Sequence, residues 1–185
     1  LINNGELIID GTGIITTVAP ADNEVDNLII NSGTITINDG TLINRGATDA
    51  YTRVIYNTSA TTAKITINDG TLKSSSDNKY GSRVIDVANG TLDVIGGSII
   101  DESTTNGIAI ESNSTNGDGK INISGGTIKS SSTCAAIYIG GSNNSADINI
   151  TGGNIEGNAS AIHNTGIGDI SVSGGTITSS TGNSI

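Results

Sequence analysis

The sequence predicts an all-β fold: a parallel β-solenoid (β-helix) with three short strands per coil and about six to seven coils over 185 residues. Three observations predict it. A phrase of constant grammar recurs, reading KITINDGTLKS at 64–74, KINISGGTIKS at 120–130, DINITGGNIEG at 147–157 and DISVSGGTITS at 169–179. Weaker copies are TITINDGTLIN at 34–44 and TLDVIGGSIID at 91–101. A repeat of this size is one structural rung, unable to bury its apolar face without neighbours. Inside each copy, apolar and polar residues alternate with the period of a half-buried strand. The composition agrees: 26 Gly, one Pro and no Trp or Phe, with Ile, Thr, Ser and Asn filling the rest, favour strands and tight turns.

One rung shows the plan. Lys64-Ile65-Thr66-Ile67 is a first strand, and Asn68-Asp69-Gly70 is a turn where Gly takes positive φ. Thr71 to Ser74 is a second strand with one inward residue, and residues 75–82 form a polar loop. Val84-Ile85-Asp86-Val87 is a third strand, and Ala88-Asn89-Gly90 leads into the next rung. The second position of the turn falls on Gly40, Gly70, Gly97, Gly126, Gly153 and Gly175, spaced 30, 27, 29, 27 and 22 residues apart. Strands of fixed length with loops of variable length are what a stacked coil permits.

The inward columns follow from the alternation. The first strand supplies Ile35, Ile65, Leu92, Ile121, Ile148 and Ile170, with a second column of Ile37, Ile67, Val94, Ile123, Ile150 and Val172. The second strand supplies Leu42, Leu72, Ile99, Ile128, Ile155 and Ile177. The third supplies Ile29, Ile55, Ile85, Ile110, Ile137, Ile162 and Ile185. Residues 1–27 are read as an irregular first coil, in which Leu7 and Ile9, the turn at Asp10-Gly11 and Ile14 form an earlier rung, with a loop from Val18 to Asn27. The whole of 1–185 is one domain, expected to be a segment of a longer repeat protein, since it lacks Met and both ends fall within third-strand patterns.

Charge narrows the function classes. A net charge of −10 repels phosphate backbones and anionic membrane surfaces, and no apolar run is long enough to span a bilayer. The expectation is neither nucleic-acid binding nor membrane insertion. Cys134 is alone, which excludes an internal disulfide and is read as a passive, semi-buried thiol. Secreted eukaryotic modules of this size usually carry several cysteines, so a bacterial surface origin fits better.

The phrases INISGGTIKSSSTCAAIYIGG, INITGGNIEGNASAIHNTG and ISVSGGTITSSTGNSI resemble right-handed parallel β-helices of the pectin-lyase-like class. They are most similar to repeat regions of large bacterial cell-surface and adhesin-type proteins, and the resemblance covers about residues 28–185. It implies an extracellular or cell-wall location. It does not select an activity, because one scaffold hosts enzymes, adhesins and stalks.

Candidate sites are few. A lyase of the class would use a calcium-binding carboxylate cluster and a basic proton acceptor. Asp39, Asp69 and Asp86 with Arg83 can be drawn that way, but the turn aspartates belong to a different corner of the coil from Arg83. A glycosidase needs two carboxylates flanking a cleft, and Asp86 and Glu111 occupy equivalent places in consecutive third strands. Calcium has an acidic set at Asp22, Glu24 and Asp26 without EF-hand spacing. The outward column of the third strand, Tyr56, Asp86, Glu111, Tyr138 and His163, is the one outward column with aromatic residues and is the candidate glycan face. No catalytic or metal residue is assigned and no cofactor is required. The reading is a non-enzymatic extracellular stalk or adhesin module that displays the loops 45–52, 75–82, 113–119 and 140–146 to a glycan or protein partner. The alternative is a polysaccharide-binding or polysaccharide-cleaving β-helix.

Overall fold

A computed structural model describes residues 1–17, 25–46, 51–58, 60–75 and 80–185. Among these the chain is a parallel β-solenoid with three strands per coil and no helix, its strands gathered into three parallel sheets of seven. The first sheet collects the first strand of every rung, from Glu6–Ile9 to Ile170–Val172. The second sheet runs from Ile14–Thr16 to Thr176–Ser179, and the third from Ile2–Asn3 to Ser160–Asn164. Each strand pairs with its counterparts one coil before and after, about 4.8 Å away, so backbone groups that one rung leaves open are satisfied by the next.

Register places like on like. Ile35 pairs with Ile65, Ile65 with Leu92, Leu92 with Ile121, Ile121 with Ile148 and Ile148 with Ile170. In the third sheet Ile29, Ile55, Ile85, Ile110, Ile137 and Ile162 form one unbroken column. These aliphatic columns are the core, and Ile35, Ile37, Leu42, Ile55, Ile65 and Ile85 have no exposed surface. Each contributes roughly 1.5–3 kcal/mol relative to exposure. The last rung is less covered: Val172 is 45% exposed, and Ile170 and Ile177 are half-buried. Ile185 departs from the expected third column. It lies outside any strand and is exposed, although the neighbouring Ser184 carbonyl still accepts a bond of 3.1 Å from Ile162 N.

Within residues 1–27, Ile2–Asn3, Glu6–Ile9 and Ile14–Thr16 are strands in register with the following rung. The strand Asp26–Asn31 begins inside the segment expected to be loop. The third strands are also longer than the alternation indicates: Ser82–Val87 starts two residues before Val84, because Ser82 and Arg83 pair with Thr52 and Arg53.

The turn glycines are required for two reasons. Gly40, Gly70, Gly97, Gly126, Gly153 and Gly175 all have positive φ, between 71° and 101°. At Gly126 a Cβ would also lie 2.7 Å from the Gly96 carbonyl oxygen of the preceding rung. Gly11 has the same backbone sign, φ 85°, but open space around it. Gly126→Ala should therefore lower stability by more than the ~1–2 kcal/mol of left-handed strain, and Gly11→Ala by about that strain alone. Urea midpoints of the two variants check this, and equal losses would show that close stacking adds nothing.

Asparagines hold the corner between third and first sheets. Asn3 Nδ2 donates to Asn31 Oδ1 at 2.8 Å, Asn31 Nδ2 to Asn57 Oδ1 at 2.7 Å, and Asn57 Nδ2 to the Asn89 carbonyl at 2.9 Å. Where later loops are longer, Asn144 reaches back instead. It is fully buried, and its Nδ2 donates to the Ser112 and Gly140 carbonyls at 2.9 Å each. Loops 113–119 and 140–146, expected to project freely, are consequently stacked: Ser145 N donates to Gly117 O at 2.7 Å and Asp147 N to Gly119 O at 2.9 Å. Thr115, Asn116, Ser142 and Asn143 are exposed at their tips. Parts of the other two display loops, 47–50 and 76–79, lie outside the described residues.

Candidate functional site

The third sheet carries the candidate site, because its outward side chains include aromatic rings and the two most buried ion pairs among the described residues. Register brings together the column expected from the sequence: Tyr56 beside Asp86, Asp86 beside Glu111, Glu111 beside Tyr138 and Tyr138 beside His163. Three residues earlier in these strands runs a second column. Arg53 stands beside Asn27, Arg83 beside Arg53 and Ile108 beside Arg83, and Ala135 pairs with Ser160.

The two columns interact diagonally. Arg53 Nε donates to Asp86 Oδ2 at 2.7 Å, and Arg83 Nε donates to Glu111 Oε2 at 2.6 Å, each reaching one rung forward. Arg83 Nη1 also donates to the Ser82 and Asn106 carbonyls, at 3.1 and 2.9 Å. The guanidinium of Arg53 lies 4.8 Å from the centroid of Tyr56, covering one face of that ring. Asp86 and Glu111 are consequently buried, at 6% and 3% exposure, although they belong to the column that the sequence places outward. The lyase-like grouping pairs Asp86 with Arg83, whereas its ion-pair partner is Arg53 of the preceding rung.

Burial sets the electrostatics. Desolvation, aided by the neighbouring Glu111 charge, pushes the Asp86 carboxyl up to about 6 against the opposing pull of Arg53 and Arg83. For Arg83, burial disfavours the cation, yet Glu111 beside it holds the guanidinium above its ordinary value. Asp86 binds its proton more readily folded than unfolded. Its ionisation therefore costs stability above pH 6, and that cost is relieved as pH falls from 6 towards 4. Asp101, fully buried and also raised by desolvation, acts in the same direction. Thermal unfolding should accordingly show a higher Tm at pH 5 than at pH 7, and Asp86→Asn should flatten the difference. A Tm that falls between pH 7 and pH 5 would contradict the assignment.

Beyond Arg83 the second column shrinks to Ile108, Ala135 and Ser160, and a groove of about 430 Å³ opens beside Tyr138. This lies within the size range of small-molecule sites. Tyr138, His163, Glu111, Arg83, Cys134 and Ser160 line it. The rings of Tyr138 and His163 meet edge to face at 5.5 Å. Glu111 Oε1 is buried and accepts no hydrogen bond. Cys134 is half-buried, and desolvation pushes its thiol above the ordinary value, the setting of an unreactive thiol. The five-residue glycan column thus divides. Tyr56 and Asp86 belong to the arginine ladder, Tyr138 and His163 face the groove, and Glu111 does both.

Two features had little signal in the sequence. One is the groove, which needs the register that aligns Arg83, Ile108, Ala135 and Ser160. The other is a buried polar corner around Asp101, whose Oδ1 accepts from Ser82 Oγ at 2.5 Å and Ser103 Oγ at 2.9 Å, and whose Oδ2 accepts from Ser130 Oγ at 3.1 Å. Every oxygen of that carboxylate is used, so it is a structural group. Asp39 and Asp69 each cap their own turn between a first and a second strand, accepting from Gly40 N at 2.6 Å and Gly70 N at 2.7 Å, whereas Arg83 lies on a third strand. Asp22 and Glu24 of the acidic calcium set lie outside the described residues, and among the described residues no group of three or more His, Cys, Asp or Glu side chains is placed to hold a metal.

Comparison with protein-family models, with curated proteins and with solved structures returns no match to this chain.

Proposed function

We propose that this chain is a non-enzymatic segment of an extracellular bacterial surface protein, a stiff pectin-lyase-like β-solenoid serving as stalk or adhesin module. The observation that carries the reading is the uninterrupted register of three seven-stranded sheets around one aliphatic core. Rungs added this way make a rod that lengthens by about 4.8 Å per coil. Loop tips at 115–116 and 142–143 and the outward face of the third sheet are the surfaces such a rod presents. An antibody raised against the folded segment should label intact, unpermeabilised cells of the source organism. Labelling that requires permeabilisation would sink the surface assignment.

The groove at Tyr138 and His163 favours a second reading, polysaccharide binding by the same rod. An aromatic wall beside convergent polar groups suits a sugar ring. Cleavage is less well supported, because Asp86 and Glu111 are each engaged by an arginine and buried rather than flanking an open cleft. A glycan array with the wild type and Tyr138→Ala tests binding. Incubation with polygalacturonate and calcium tests lyase chemistry, where unsaturated products would overturn the non-enzymatic reading.

A further inference from the structure

We propose that the groove beside Tyr138 takes an amino sugar bearing a free ammonium group; the proposal rests on the polysaccharide-binding reading. The groove exists because of a change along one column. Arg53 and Arg83 fill that position in two successive rungs, and Ala135 and Ser160 fill the equivalent position in later ones, leaving the space unoccupied by side chain.

Its polar groups are unequal in what they still offer. Arg83, the one lysine or arginine among the described residues lining the groove, has its Nε on Glu111 and its Nη1 on two backbone carbonyls. Glu111, 3% exposed, uses Oε2 for Arg83 and leaves Oε1 without a donor. A buried acceptor left open favours a ligand that donates, and a charged donor satisfies a carboxylate more strongly than a neutral one. The ring of Tyr138 adds a surface on which a sugar can lie and a quadrupole that attracts a cation. The net charge of −10 draws cationic ligands towards the chain and repels uronate polymers. Free-amine sugars combine ring, donor and charge; N-acetylated sugars lack the charge, and uronates carry the opposite one.

The test is calorimetric titration of the folded segment at pH 6 with trimers of glucosamine, N-acetylglucosamine and galacturonate. The glucosamine trimer should bind about tenfold more tightly than its N-acetylated counterpart, with affinity falling as salt rises, and galacturonate should not bind. Ser160→Arg places in the groove the side chain that the same column carries at Arg53 and Arg83, and should abolish binding while leaving Tm unchanged. Amide shifts on titrating the wild type should centre on residues 133–138 and 159–163, which locates the ligand even if that variant is unstable. Equal affinity for the amine and N-acetylated trimers overturns the amino-sugar assignment and leaves polysaccharide binding standing. Shifts centred elsewhere, or binding kept by a folded Ser160→Arg, overturn the site. Failure of every sugar to bind overturns the polysaccharide reading and this inference together.

Discussion

Ile123→Asp is expected to unfold the domain. Ile123 is 1% exposed and stacks between Val94 and Ile150 in the second inward column of the first sheet. Truncating a buried aliphatic of this size costs about 2–5 kcal/mol. A carboxylate in its place has no partner, and leaving a buried polar group unpaired adds at least ~1–3 kcal/mol. The sum is comparable to the whole ~5–15 kcal/mol stability of an ordinary domain. The Val172→Asp substitution changes the same column at the half-open last strand, where the side chain is 45% exposed, and should cost about 1 kcal/mol or less. Circular dichroism and urea titration of both variants check the contrast. An Ile123→Asp protein that melts like the wild type would mean that the register is wrong.

Arg83→Met is expected to have the second largest effect. It removes the partner of a carboxylate whose side chain is 5% exposed, while Met keeps the apolar stem. Breaking a buried ion pair from one side costs about 3–5 kcal/mol, because the remaining charge is stranded. The double variant Arg83→Met/Glu111→Leu removes both charges and should recover much of that loss. By comparison, Lys64 pairs with Asp93 at 2.9 Å with 47% and 24% of the side chains exposed, and Lys64→Met should cost no more than about 1 kcal/mol. Chemical denaturation of the four proteins separates these cases. A double variant as unstable as Arg83→Met alone would show that the arginine acts through packing rather than by neutralising Glu111.

The fold was legible in the sequence because its signals are local and repeated. Ile65 and Ile67 flank one polar residue, Gly70 ends the turn, and the same arrangement returns with Ile121, Ile123 and Gly126. Each copy independently reports strand, turn and inward face, so the alignment of copies also gives the stacking order. The vertical pairing of Arg53 with Arg83, and the column from Tyr56 to His163, could be read the same way.

The site was legible as a column and no further. Whether Asp86 and Glu111 are solvated or buried depends on where the arginine side chains of the neighbouring column reach, and they reach forward by one rung. That diagonal is a matter of side-chain length and sheet geometry, with no signature in the repeat. The loops behaved similarly. Asn144 reads as an ordinary loop residue, yet its four hydrogen bonds pin loops 113–119 and 140–146 to the body of the coil. The Asp101 corner joins residues 82, 101, 103 and 130, which come from three consecutive coils.

By itself the sequence determined the strand order, the inward columns and the turn glycines, because alternation and positive φ are properties of single short segments. Only the tertiary structure decided which charges are buried, which loops are held down and where a groove opens. Those outcomes depend on side chains from different coils meeting in space, and one substitution along a column, such as Arg83 giving way to Ile108, changes what its neighbours enclose.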